Sequence, residues 1–237
     1  MARPSSHGGD AGRAPVVVPR SGTGAPAGDD TESDLKFLLV PDATAPPPPA
    51  FRRAVASLSS TRPRPELLVS ALGAPPRLAP YTWAFSVEAD AGAGRAGEPL
   101  DDLDEPDTSG RLILLHDPAG QDAWEGVFRL VCFVQARLEP EQLGDEMFPV
   151  VGWSWLTEAL EHNGAGYTAL GGTVTQTSSV RFGDIAGPRR DDDVELRASW
   201  TPTDTNLAAH AEAFCQLIAS AAGLPPVGAV SLVHRTV

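Results

Sequence analysis

Two short stretches carry residue types that could do chemistry together. The first is His116-Asp117-Pro118-Ala119-Gly120-Gln121, followed by Trp124 and Glu125. It brings an imidazole, carboxylates and an amide to the junction of two apolar segments, the groups a general acid–base site uses when a fold converges them. The plainer reading is a tight hairpin connection, in which Asp117 bonds the turn backbone, Pro118 fixes φ and Gly120 supplies a permissive position. The second stretch is Gly152-Trp153-Ser154-Trp155-Leu156. A nucleophile elbow has glycine on both sides of its serine, and Leu156 occupies the second of those positions, where a bulky side chain obstructs the turn. Ser154 is therefore read as a helix N-cap with two tryptophans beside it.

No metal or cofactor is expected. Cys132, Cys215, His116, His162 and His210 show no paired spacing of the kind that ligates a metal. Gly171-Gly172 lacks the Gly-Lys-Ser/Thr of a phosphate loop and reads as a turn or bulge at a strand. The two cysteines lie in apolar runs and read as small buried thiols.

Charge is distributed unevenly. Arg52, Arg53, Arg62, Arg64 and Arg77 face a single acid, Glu66, over residues 51–77, whereas residues 90–107 hold seven acids against Arg95. A basic segment in an acidic chain can dock an acidic protein partner, and Arg52, Arg53, Arg62 and Arg64 are the expected contacts. The net charge of −13 opposes general binding to nucleic acid or to an anionic membrane. No apolar run reaches the roughly 18 residues of a membrane span, and Val16-Val17-Val18 is cut short by Pro19, so a cytoplasmic location is expected. Nothing in the sequence marks an oligomeric state.

The elements that must position these residues follow from composition and periodicity. Residues 1–47 are rich in Ala, Gly, Pro, Ser and Asp and are expected to form a disordered tail; the apolar cluster at 35–40 is counted with it. Residues 48–237 are expected to form one domain. A helix opens at Pro48-Pro49 with Phe51, Val55 and Leu58 on one face. Leu67 to Val69 suggests an edge strand, followed by a turn at Pro75-Pro76. Residues 81–89 alternate cleanly: Tyr81, Trp83, Phe85, Val87 and Ala89 share a face, which makes Trp83 a core residue. Strands follow at 112–115, 125–138, 167–182 and 195–200, with helices at 152–162 and 205–222. On the 125–138 strand Val131 and Phe133 stand opposite the apolar even positions, so a helix or the tail is expected to cover part of that second face. Strict β–α–β alternation is missing, which predicts an α+β fold: a mainly antiparallel sheet of five or six strands backed by about three helices.

The chain carries the distinctive strings Phe51-Arg52-Arg53-Ala54, Leu78-Ala79-Pro80-Tyr81, the 115–121 stretch, the 151–160 stretch, Leu196-Arg197-Ala198-Ser199-Trp200-Thr201-Pro202 and Ala221-Ala222-Gly223-Leu224-Pro225-Pro226. With these strings it resembles an actinobacterial family known as a domain of unknown function, number 3000. The resemblance implies a cytoplasmic bacterial protein and brings no activity, cofactor or catalytic residue with it. It agrees with a composition in which Lys36 is the sole lysine among 18 basic residues, as GC-rich coding favours. The expected function is a non-enzymatic binding or regulatory module acting through protein–protein contacts. The alternative is a small-molecule enzyme using the 116–121 turn with Trp124 and Glu125.

Overall fold

The computed structural model of the chain describes residues 46–73, 78–89, 107–138, 142, 144–185 and 191–227. The expected tail up to residue 45, its apolar cluster, the Pro75-Pro76 turn, Arg77 and the acidic segment 90–106 lie outside the described residues.

Six strands form one antiparallel sheet: β1 (Leu67–Leu72), β2 (Tyr81–Ala89), β3 (Thr108–Gln121), β4 (Gly126–Arg137), β5 (Tyr167–Ser179) and β6 (Asp191–Pro202). Their spatial order is β1-β2-β3-β4-β6-β5, so the first four make a meander and β6 enters between β4 and β5. The helices are α1 (Pro49–Ser59), α2 (Phe148–His162) and α3 (Ala208–Ala221). This is the α+β architecture that the sequence predicts, with six strands.

All three helices pack on one sheet face. Phe51, Val55 and Leu58 of α1, Leu156 and Leu160 of α2, and Phe214, Leu217 and Ile218 of α3 share a core with Phe85, Leu112, Leu130, Cys132, Leu196 and Trp200 of the strands. Close approach is set by glycines. A Cβ on Gly110 would lie 2.5 Å from Ile218 and 3.1 Å from Phe214, so α3 reaches β3 only because no side chain stands there. Helix ends are tied in chemically. Gly164 and Gly223 have φ of 63° and 66°, and Ala165 N–H to Leu160 O and Leu224 N–H to Ala219 O, both 2.9 Å, close Schellman caps on α2 and α3. The Ser57 hydroxyl of α1 accepts from Leu207 N–H at 2.8 Å, capping the start of α3 from another element.

Several expectations need correction. β3 does not end at Leu115: it runs to Gln121, and the 117–120 stretch is an irregularity inside the strand, with a register shift between His116 and Gln121. Asp117 accepts from Ala119 N–H at 3.0 Å and from Gln121 Nε2 at 3.2 Å, and Gly120 has φ 75°; these bonds absorb the extra residues. The hairpin turn itself is the 3-10 segment Asp122–Trp124, closed by Glu125 at φ 56°. Helix α2 starts at Phe148, before Ser154, because Pro149 suits a first turn and Asp145 Oδ1 accepts from Met147 N–H at 2.8 Å. Ser154 is consequently mid-helix, its hydroxyl donating to Val151 O at 2.9 Å, and caps nothing. Trp83 is half-buried against the core, whereas Trp200 is completely buried. Among the described residues no helix covers Val131 and Phe133; the guanidiniums of Arg111 and Arg197 lie 4.7 and 5.3 Å from the Phe133 ring centre instead. The bulge in β5 falls just before Gly171-Gly172, at Ala169-Leu170: Ala169 has φ 49° and the register shifts between Thr168 and Gly171, while the two glycines pair regularly with Ser199 and Ala198.

Candidate functional site

His116 is buried in the helix-covered layer. Its ring stacks on Phe128 with centroids 4.3 Å apart, lies 5.9 Å from Phe51, and its Nδ1 meets Val127 O at 2.9 Å. Asp117 accepts from Gln121 Nε2 and from the Ala119 backbone N–H, and Glu125 is an exposed turn residue. None of these residues lines either of the two cavities described below. Each is accounted for by strand and turn geometry.

The four arginines occupy different environments. Arg52 and Arg53 project from the exposed face of α1, opposite Phe51, Ala54 and Val55. Arg62 and Arg64 lie in the link to β1, where Pro63 and Pro65 prevent α1 from continuing. Arg64 is fully engaged: its Nε and Nη2 hold the two oxygens of Glu66 at 3.1 and 2.8 Å, and its Nη1 donates to Pro225 O at 2.7 Å. That fork holds the Glu66 carboxyl down to about 2, well below the carboxylate range. Arg62 is exposed and has no hydrogen-bond or ion-pair partner among the described residues.

Arg62 and Arg64 border the largest cavity described, an open groove of about 500 Å³. Three distant pieces of chain build it: residues 61–67, the end of α2 at His162 and Asn163, and the Glu212–Ser220 side of α3 with the segment leaving it at 224–227. The Arg64–Pro225 bond ties the first piece to the last. Leu67, Cys215, Ala219 and Leu224 give an apolar surface, and Arg62, His162, Glu212 and Gln216 add polar groups. Asn163 Nδ2 donates to Gln216 Oε1 at 2.9 Å, which leaves the Gln216 amide hydrogens for another acceptor. Beneath the groove a void of about 20 Å³, shared at Thr61 and Cys215, is large enough for one water, and the buried Thr61 hydroxyl beside it has no protein partner.

Burial, with Glu212 adding, pushes the Cys215 thiol up to about 12, so the thiolate is absent at neutral pH. Among the described residues no three His, Cys, Asp or Glu side chains come together as metal ligands, and no helix is long and apolar enough to cross a membrane.

Sequence reading found two of the groove's residues, Arg62 and Arg64, and missed Asn163, Glu212 and Gln216. Asn163 reads as a helix stop, which it also is. Glu212 and Gln216, spaced i, i+4, are a polar stripe beside the apolar one of α3, and nothing local distinguishes that stripe from an ordinary solvated face.

The fold thus defines a class: a six-stranded antiparallel sheet with one face under three helices and the other free of them among the described residues. The chain belongs to the DUF3000 family, proteins of unknown function, whose family model matches residues 47–231. No curated protein and no solved structure matches it.

Proposed function

We propose that this chain is a non-enzymatic binding module that holds an acidic segment of a protein partner in the groove between the 61–67 link and α3. The observation that carries this reading is the pairing of an apolar groove of about 500 Å³ with an exposed, unengaged Arg62 at its border. Apolar surface supplies burial, while a guanidinium and a free amide select an anionic, hydrogen-bonding chain. The buried, stacked position of His116 weighs against the enzymatic alternative, because a base must be reachable by the proton it removes. Arginine in place of lysine and the family resemblance support a cytoplasmic role in an actinobacterium.

Affinity purification from the native host tests this with wild type, Arg62→Glu and the double variant Arg52→Glu/Arg53→Glu. Arg64 is left intact because it braces Glu66 and Pro225. The partner should be lost with Arg62→Glu, kept with the α1 variant, and released as salt rises from about 0.1 M to 1 M, where screening shortens from about 10 Å to 3 Å. An unchanged partner set across all three proteins refutes the groove as the docking site.

A further inference from the structure

The two edges of the sheet are finished differently. β1, at one edge, has six residues and is entered through Pro63 and Pro65. Short length and nearby proline both keep an edge strand from recruiting another. β5, at the other edge, runs for thirteen residues without a proline or a charged side chain. Past the bulge at Ala169-Leu170 it is regular: residues 171–179 pair one for one with β6, and no described strand takes their other side. All of them except Val174 and Gln176 are exposed. Such an edge offers a row of backbone N–H and C=O groups about 30 Å long to any strand that fits it.

Apolar side chains gather at the same border. Of the nine large apolar side chains that are exposed among the described residues, five are Met147, Val150 and Val151 at the start of α2 and Val180 and Phe182 just past β5. Helix α2 lies over β5: a Cβ on Gly152 would sit 3.4 Å from Val174, and one on Gly172 2.8 Å from the Trp153 ring. In a chain of net charge −13, an uncharged strand edge beside exposed apolar side chains is a place where a second copy meets little repulsion.

The strand also fits a copy of itself. In an antiparallel pair about a two-fold axis at Thr175, Thr173 stands opposite the second copy's Thr177, Thr175 opposite Thr175, and Val174 opposite Gln176. Facing threonines are a favourable cross-strand pair. The β6 residues behind Thr173 and Thr177 are Arg197 and Asp193, so these rows bring unlike charges of the two copies toward each other. Glu195, behind Thr175, keeps Arg197 at 2.6 Å. Ser179 then faces Gly171, which carries Val180 and Phe182 alongside the second copy's Gly171, where a Cβ would meet nothing within 4 Å. Nine paired residues give about nine hydrogen bonds, inside the range of about 5–15 for a stable interface.

We propose that this chain forms a two-fold dimer through β5, the two sheets joining edge to edge into one of twelve strands with both α2 helices on the same face. A pairing of this kind closes on itself and covers the open edge of both copies. It stands apart from the groove and does not depend on it. The sequence shows a strand here, and only the sheet order shows that it is an edge.

Sedimentation equilibrium and cross-linking of the full chain test it. The wild type should sediment at twice its 24.8 kDa at micromolar concentration. Thr175→Lys sets two ammonium groups against each other across the axis and should weaken association at least about tenfold, with the circular dichroism spectrum unchanged. Thr175→Glu should do the same, and mixing the two variants should restore the dimer. Thr175→Cys should form a disulfide with its own copy in oxidised glutathione, since facing Cα atoms about 4.5–5.5 Å apart lie within bonding range. Thr173→Cys should not link by itself but should link in a mixture with Thr177→Cys. Cys132 and Cys215 are buried and remain in place. Should a charge at 175 unsettle the fold, the cysteine links decide by themselves. A monomer up to about 100 µM overturns the proposal. So does a dimer that ignores charge at 175, a lysine–glutamate mixture that stays monomeric, or growth into ever larger assemblies, the mark of β5 meeting β1 head to tail.

Discussion

The indole N–H of Trp200 donates to Nδ1 of His210 at 3.1 Å, and both rings are buried. The bond joins β6 to α3 and requires His210 to keep Nδ1 unprotonated. Burial lowers the His210 pKa to about 4, with Asp204 pulling weakly the other way. The unfolded chain binds that proton near the ordinary value of about 6.5, so between 6.5 and 4 the unfolded state carries more protons than the folded one. The contribution is complete above pH 6.5 and is lost as pH falls toward 4, on the order of 3 kcal/mol in all. Denaturant midpoints measured from pH 7 to 4 should decline in wild type. The decline should be shallower in His210→Leu, which is weaker at pH 7 because the Trp200 N–H is left unpaired, at a cost of about 1–3 kcal/mol, so the two profiles should converge as pH falls toward 4. Parallel profiles for the two proteins would remove His210 as the titrating group.

Gly172 should not tolerate a side chain. A Cβ there would collide with the Arg197 carbonyl and lie 2.8 Å from both the Ala198 backbone and the Trp153 ring, pressing α2 away from β5. Gly172→Ala should cost about 1–3 kcal/mol in equilibrium unfolding. Gly171→Ala is the control: its Cβ would meet nothing within 4 Å, and its midpoint should stay near wild type.

The two thiols should be inert in the native state. Burial pushes both Cys132 and Cys215 up to about 12. Iodoacetamide at pH 8 should therefore label neither within the time that fully labels both in denaturant. Rapid native labelling of Cys215 alone would mean that the groove floor opens further than its 7% exposure indicates.

Strands and helices with one buried face were legible because their periodicity is a direct record of burial. Residues 85–89 alternate in burial as read, although Ala84 on the opposite face is buried too, and the Phe214 and Ile218 stripe of α3 faces the core. The 116–121 stretch misled because Asp, Pro and Gly serve a bulge as readily as a turn, and only the pairing of Gln121 with Gly126 separates the two. The start of α2 was missed because its first turn has neither a side-chain cap nor an acidic residue. Trp83 shares a face with Phe85 and Val87, yet it stands near the start of β2 and its partner β1 is the edge strand, so its ring is only half-covered. The groove was beyond local reading altogether, since residues 61–67, 162–163 and 212–227 meet only in the folded chain.

The groove claim is tested most directly by a photo-activatable residue placed at Pro226, which lines the groove and is exposed, and at Arg53 on α1 for comparison. Irradiated native-host lysate should give a protein adduct from position 226 and none from position 53. The adduct should vanish in an Arg62→Glu background and fade as salt approaches about 1 M. An adduct from position 226 that persists with Arg62→Glu, or adducts from position 53 alone, would contradict the groove as the place where an acidic partner is held.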